Sequence, residues 1–535
     1  MVDQPAPLRI GIVIDSFAQP RWVRRSLEKV LASEVARIEL VVKVDQQQAA
    51  NGSFLYQFYN RVDRSLFAAD ALELVSIEDL LGSATVSDHI IRPDLDVLVN
   101  FATNELNAKF AGVAKHGVWF YSFGEAPGFN EVSQGLPITY SSLRALKGNT
   151  ESFIYESVAP TLSRFSIRLN NNTCYWKAAA FISRGLEDLC AQRAFEKISS
   201  GHQATSKAPG NAAMMQMLLK LSGRAAARVV EKVSSVEQWV LAYQIGESEF
   251  RYLVPPPGRF WADPFPLKVD GKYYIFFEDY VNEAGRAHIS VAEVDENGIV
   301  DGPTEVLKLD CHLSYPFVFE WQGNYYMIPE TGERNVVELY RAVSFPFEWR
   351  PEKVLLQTSC PLDATVVEVD GTWWMFVNIE EDGVAVNWDE LHLYHSDSLF
   401  GPWKPHAHNP IVSDVRSARP AGRLFWSNDV LYRPSQDSSL RYGYATTINR
   451  ISNLSAVAYN EVEAVKLLPD WDDNIIGIHT LNFLDDLTVI DCLTKRRRGT
   501  NVRFGSPKRS LDRLSSANIQ PRGEASSNSI SRTKM

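Results

Sequence analysis

The sequence predicts two fold classes in one chain: an α/β unit on a doubly wound parallel sheet, then an all-β, five-bladed propeller. Three observations predict it. Apolar strand-like runs alternate with helical periodicity over the first 190 residues, the pattern of a parallel sheet covered by helices. A short phrase then recurs along the second half, as DGKYYIFF from Asp270, QGNYYMIP from Gln322 and DGTWWMFV from Asp370. Worn copies follow, SNDVLYRP from Ser427 and LDDLTVID from Leu484, at a spacing of roughly fifty residues, the period of a propeller blade. Finally, 535 residues exceed one ordinary domain.

The α/β unit is expected over residues 1–190. LRIGIVIDS from Leu8 is an apolar run suited to a buried parallel strand. WVRRSLEKVLASE from Trp22 has the periodicity of a helix, and IELVVKVD from Ile38 reads as a second strand. LDVLVNFA from Leu95 and GVWFYSF from Gly117 supply a third and a fourth. No GxGxxG follows the first strand, so no dinucleotide site is indicated.

Residues 191–235 change character. SSGHQATSKAPGNAA is a polar linker, and MMQMLLKLSGRAAARVVEKVSS is a helix, basic on one side and Met/Leu-rich on the other. Two readings stand for it, a helix docking the domains and a helix lying on a membrane surface. The propeller is expected over residues 236–494. Each copy of the phrase is a tight polar turn followed by an alternating aromatic and aliphatic strand, a hairpin signal.

Residues 495–535 form a basic tail with eleven Lys/Arg against two Asp/Glu. Its low apolar content predicts disorder, and contact with an anionic membrane or acidic protein surface is the sharper alternative to a solvated end. Net charge is −11, so the rest of the chain is near −20. An acidic body argues against nucleic acid as a partner. Five scattered cysteines without a CxxC pair fit a reducing compartment. No basic n-region leads into a long apolar run at the N-terminus, so a signal peptide is not expected and the location expected is cytoplasmic.

In a propeller the innermost strand of each blade faces the central channel and lies just upstream of the repeated turn. These segments are RFWADPFPLKV, HLSYPFVFEW, CPLDATVVEV, ARPAGRLFW and GIHTLNFL. At comparable registers they carry Asp263, Tyr315, Asp363, Arg419 and His479, which are expected to project toward one end of the axis. Trp261, Tyr315, Arg416, Arg419 and His479 are the candidate substrate-binding residues. Asp263, Asp363 and Glu330 are the candidate catalytic carboxyls. No metal or cofactor is expected, apart from the alternative of a structural ion or water beside His479.

The stretch from Leu95 to Leu146 resembles the formyltransferase fold, and the resemblance extends over roughly Leu8 to Cys190. In that family a strand opening with Gly-Val, as Gly117-Val118 does, carries an Asn and, two residues on, a His. The matching positions are Phe120 and Ser122. Phenylalanine can neither hold an oxyanion nor move a proton, and no acidic residue lies between Glu156 and Glu187. The resemblance therefore implies a formyltransferase-like scaffold without formyl transfer. A repurposed site using His116, Ser122 and Glu125 is one alternative, and residual N-formyl transfer to an amino sugar is another.

W-A-D-P-F followed by D-G-K-Y-Y-I-F-F resembles the propellers of family 43 glycoside hydrolases. By this resemblance Asp263 is the general base, Asp363 the residue that tunes the acid, and His479 the axial histidine. The acid does not carry over, because the fourth blade offers Arg416, Arg419 and Arg423 and no Glu. Glu330, in MIPETGE, is the expected substitute. Arginine clamps phosphate or carboxylate, so an anionic glycan is expected at the axis. ADPF, HLSYPFVFEWQGNYYMIPE, ARPAGR and SDSLFGPWKPH resemble the N-terminal domain of plant glucosamine inositolphosphorylceramide transferase. What this implies is a propeller handling a glycan, glycolipid or nucleotide-sugar, as hydrolase or transferase. The alternative is a non-catalytic binding or scaffold protein.

Overall fold

The computed structural model describes residues 6–45, 52–89, 94–102, 107–123, 127–193, 195–197, 209–380, 386, 388–497 and 504–521. The chain divides into two compact units, Met1–Ala227 and Arg228–Met535.

In the first unit a parallel run of strands orders as Thr85–Ser87, Ala36–Lys43, Leu8–Ile14, Val97–Asn100 and Val118–Ser122. The four strands read from sequence are its centre. The expectation of a purely parallel sheet is corrected. Beyond Val118–Ser122 come Ile138–Lys147, Thr150–Pro160 and the short Glu196–Lys197, all antiparallel to their neighbours. The cause is local: Lys147 and Thr150 are joined across a tight turn in which Gly148 has φ +58°, so the chain returns as a hairpin and not through a crossover helix. Ile10, Ile12, Val97, Val99, Trp119 and Phe181 are buried together, as expected for strands covered on both faces.

The second unit has four four-stranded blades and a fifth sheet that closes the ring. The innermost strands are Arg259–Val269, Ser314–Trp321, Pro361–Val369, Phe425–Ser427 and Leu481–Leu484. Blade five is composite. Its strand Leu487–Arg497 pairs with Ser235–Ile245 in unbroken antiparallel register, from Ser235 opposite Arg497 to Ile245 opposite Leu487. The ring is thus closed by chain from both ends of the unit. The repeated phrase is the predicted hairpin: Asp270–Gly271, Gln322–Gly323 and Asp370–Gly371 all have positive φ at both positions, as do Asn428–Asp429, the geometry that matches the twist of paired strands.

The expectation of a disordered tail is corrected for residues 504–521. Lys508–Ser516 is a helix, and Leu514 and Ile519 are buried among Tyr432, Leu467, Ile475 and Phe483 of blades four and five. Ser510 Oγ donates to the Leu468 carbonyl at 2.9 Å, and Arg513 pairs with Asp470. Residues 495–497 of the expected tail end the strand Leu487–Arg497, and residues 498–503 and 522–535 lie outside the described residues, as does most of the polar linker. The helix read within residues 191–235 is present as Asn211–Ser234. Among the described residues no helix is long and apolar enough to cross a membrane.

Candidate carbohydrate site on the propeller axis

Three blades repeat one backbone device. In blade one the pairing steps from Ala262–Glu278 to Phe265–Phe276, three residues against two. Blade two steps from Ser314–Glu330 to Phe317–Ile328, and blade three from Leu362–Asn378 to Thr365–Phe376. Each is a bulge with one extra residue, and at each the side chain is turned by a positive φ: +51° at Asp263, +43° at Tyr315 and +53° at Asp363. Left-handed backbone is costly for residues with a Cβ, and bulges re-aim side chains. The strain is located where three blades meet at the axis.

Asp263 is buried and held on all sides. Thr480 Oγ1 donates to its Oδ1 at 2.6 Å, and the Tyr315 N–H lies 3.3 Å from its Oδ2. Its own N–H donates to Asp491 Oδ2 at 3.0 Å. Asp491 also accepts the N–H groups of His479 and Thr480, at 2.9 and 3.0 Å. His479 lies between the two carboxylates, with Nδ1 2.5 Å from Asp491 and Nε2 3.6 Å from Asp263. Burial works against a charged imidazole, but Asp491 and Asp263 outweigh it and push His479 up to about 9. Burial, with Glu278, Asp363 and Asp491 adding repulsion, pushes Asp263 up to about 7 against the pull of His479.

The second half of the cluster is organised by Arg419. Its Nε lies 2.5 Å from Asp363 Oδ2, and its Nη2 lies 3.2 Å from both Asp363 Oδ1 and Glu330 Oε2. Burial, then repulsion by Asp363, holds Glu330 well above the ordinary carboxylate range in spite of Arg419. Glu330 reaches this position because it is paired opposite Ser314, at the start of the blade-two bulge.

Of the residues singled out in the sequence, Asp263, Asp363, Glu330, Arg419 and His479 are brought into this network. Three others have different surroundings. Trp261 is buried with Leu241, Tyr243, Phe277 and Val489, where blades one and five pack, and has no open face for a sugar. The Tyr315 hydroxyl is enclosed by Thr365 and the backbone of Gly422. Arg416 is engaged by Asp414 of its own turn, at 2.5–3.1 Å. In the first unit, His116 precedes the strand Val118–Ser122 and burial lowers its pKa, while Glu125 lies outside the described residues.

Sequence reasoning missed four members. Asp491 carried no signal, since it lies on the second strand of blade five within a plain apolar run. Trp239 stacks on the His479 ring with centroids 4.1 Å apart. Tyr442 meets the same ring edge-on at 5.5 Å and receives Arg419 over its face at 5.2 Å. Trp388 stands 5.6 Å from Tyr442. Trp239 and Tyr442 are partly exposed, so this aromatic collar, and not Trp261 or Tyr315, gives the axis its accessible ring faces.

Asp263, His479 and Asp491 each place one donor atom within 4.8 Å of the others, a spacing that suits a cation. Asp263 and Asp491 already accept Thr480 Oγ1–H and backbone N–H groups, and His479 Nδ1 lies beside Asp491 without hydrogen-bond geometry, so the three form a close charged cluster.

The unit is therefore a five-bladed propeller whose axis holds a carboxylate, arginine and histidine network under an aromatic collar. Residues 238–473 match the family described as "Glucosamine inositolphosphorylceramide transferase 1, N-terminal". Over 210 residues the chain is 38% identical to glucosamine inositolphosphorylceramide transferase 1 of Oryza sativa subsp. japonica and 37% identical to that of Arabidopsis thaliana. These alignments cover 38% and 39% of this chain and 28% and 27% of those proteins. Among solved structures, a family 117 glycoside hydrolase of Zobellia galactanivorans is similar over 51% of this chain and 98% of its own, at 15% identity and TM-score 0.33. A GH43_1 enzyme from Xanthomonas citri with xylotriose is similar over 45% and 96%, at 13% identity and TM-score 0.32.

Proposed function

We propose that the propeller axis binds and rearranges the saccharide portion of a glycan or glycolipid, by hydrolysis or transfer. The observation that carries this reading is the split of the axial carboxyls into two environments. Burial and the nearby Asp363 hold Glu330 well above the ordinary carboxylate range, whereas Asp263, beside His479, is pushed up to about 7. Two carboxyls placed in distinct environments can divide the acid and base roles. In this reading Glu330 gives a proton to the leaving glycosidic oxygen, and Asp263 takes one from water or from an acceptor hydroxyl. Asp363 and Arg419 set the state of Glu330, and Trp239 and Tyr442 stack on the ring.

One part of the sequence expectation loses its carrier. An anionic group is expected at Arg416, Arg419 and Arg423, yet the first two already face carboxylates, and Arg423 is turned to the Val318 carbonyl and the Phe317 ring. The proposed ligand surface is therefore a neutral sugar ring. The first unit is proposed as a formyltransferase-like scaffold with Phe120 and Ser122 at the former catalytic positions, and a cytoplasmic location belongs to the same proposal. The test is calorimetry of neutral oligosaccharides and glycolipid headgroups, with product analysis for those that bind. Binding without turnover by the unaltered protein supports the scaffold alternative, which the deep burial of Asp363 favours. Absence of any saccharide binding overturns both.

A further inference from the structure

The first unit exposes large apolar side chains in two ordered rows. On the helix Phe54–Leu66, Phe54, Phe58, Val62 and Leu66 recur every four residues and are 74, 56, 40 and 70% exposed. Such spacing places them along one side of the helix. The opposite side holds the helix down: Tyr59 Oη donates to the Phe165 carbonyl at 2.6 Å, and Asp63 accepts from Ser166 Oγ and the Arg168 N–H. On Asn211–Ser234, Met214 and Met217 are buried against Tyr59, Phe129 and Ile167. Met215, Leu218 and Leu219 lie on the other side, and Leu219 is 71% exposed.

The charges on these helices oppose the balance of the whole chain. Residues 211–227, the part of that helix within the first unit, carry Lys220 and Arg224 and no acid, in a protein of net charge −11. Arg224 is turned inward to the Val132 carbonyl, and Lys220 is exposed. On Phe54–Leu66 the single acid is the buried Asp63, so its outer side carries only Arg61 and Arg64. Large apolar residues beside exposed cations, with the one acid, Asp63, turned inward, are what helices lying in a lipid interface need. A second copy would bring cationic helices against each other, and a neutral surface would leave the cations unused.

We infer that the outer sides of Phe54–Leu66 and of residues 211–227 bind the surface of an anionic phospholipid bilayer, with the apolar rows entering the headgroup layer and the cations meeting lipid phosphates. The experiment is sedimentation of the full chain with phosphatidylcholine vesicles and with vesicles also containing phosphatidylglycerol. The full chain is expected to pellet with the anionic vesicles, to be released by high salt and to remain in solution with phosphatidylcholine alone. Lys220→Glu with Arg64→Glu is expected to weaken binding, each lost cation by about fivefold. Phe58→Asp with Leu219→Asp is expected to abolish it with an unchanged circular dichroism spectrum, since all four positions are exposed. Equal pelleting with both vesicle types, no pelleting, or binding indifferent to these substitutions overturns the inference. If light scattering shows a dimer that Leu219→Asp converts to monomer without any lipid dependence, the rows are a self-association surface and the inference also fails.

Discussion

Arg419 grips Asp363 with Nε 2.5 Å from Oδ2 and Nη2 3.2 Å from Oδ1, joining blade four to blade three at the axis. The pair is almost completely buried. Removing the guanidinium would leave Asp363 and Glu330 facing each other without a cation. Breaking a buried pair in this way costs about 3–5 kcal/mol. Arg419→Met is therefore expected to lower the propeller's unfolding free energy by that amount, measured by denaturant titration at neutral pH. Arg419→Lys keeps the charge but not the fork and is expected to fall between the two.

Asp263→Asn separates chemistry from stability. The amide keeps the shape of the side chain and can still accept from Thr480 Oγ1. Because the carboxyl titrates near 7, Asn imitates a form already well populated at neutral pH. The thermal midpoint is expected to stay nearly unchanged, whereas turnover of a saccharide substrate is expected to fall by about 10²–10⁴-fold, the usual share of a general base. Turnover that survives removes Asp263 from the role of base.

The axial cluster was legible because its residues sit at one register of a repeat. The three bulges at Asp263, Tyr315 and Asp363 make that register real, since each turns its side chain inward by a positive φ. What was not legible depends on ring closure. Trp239 reaches His479 only because Ser235–Ile245 crosses to pair with Leu487–Arg497, and nothing local announces that pairing. Trp261 and Tyr315 were misread for a related reason. An aromatic residue beside a catalytic position looks alike in sequence whether it lines the channel or fills the space between blades. The hairpin Ile138–Lys147 and Thr150–Pro160 went unread although a Gly-Asn turn marks it, because the alternating strands are rich in Ser and Thr.

His479 makes stability depend on pH. Its folded pKa is raised from 6.5 to about 9, so its contribution is fully present below about 6.5 and is lost as pH rises through 9. Asp263, raised from 3.8 to about 7, favours the folded state in its protonated form, so its contribution also declines as pH rises, between about 4 and 7. The propeller is expected to weaken steadily from mildly acidic to alkaline pH, by about 3 kcal/mol across the histidine step. Denaturant midpoints measured from pH 6 to 10 test this, and His479→Gln is expected to flatten the alkaline part. A stability that rises toward pH 9 contradicts the assignment.

The aromatic collar is expected to govern saccharide affinity. Tyr442→Ala removes a ring that faces both Arg419 and His479, and Tyr442→Phe keeps the ring without its hydroxyl. If stacking on the sugar is the role, Ala weakens binding by about tenfold, within the usual range for an aromatic contact, and Phe is nearly silent in calorimetry. If Phe is as damaging as Ala, the hydroxyl and not the ring engages the ligand.

The helix Lys508–Ser516 is expected to be part of the propeller's folding unit. It lies in a strongly basic stretch, and its few apolar residues look incidental in sequence. Their spacing nevertheless matches a depression between blades four and five, where Leu514 and Ile519 are 3 and 2% exposed. The flanking backbone is fixed as well: the Gly505 N–H donates to Asp472, Tyr252 Oη donates to the Gly505 carbonyl, and the Gln520 N–H donates to Ser427 Oγ. A cavity-forming Leu514→Ala substitution is expected to cost about 2–5 kcal/mol, toward the lower end because the site lies at the unit's edge and can relax. Truncation before Phe504 uncovers Ile475, Leu467 and Phe483 and is expected to destabilise the propeller by at least as much. Both are read from denaturant unfolding of the full chain against its variants. A truncated chain that unfolds at the same denaturant concentration as the full one would show that the helix only rests on the blades.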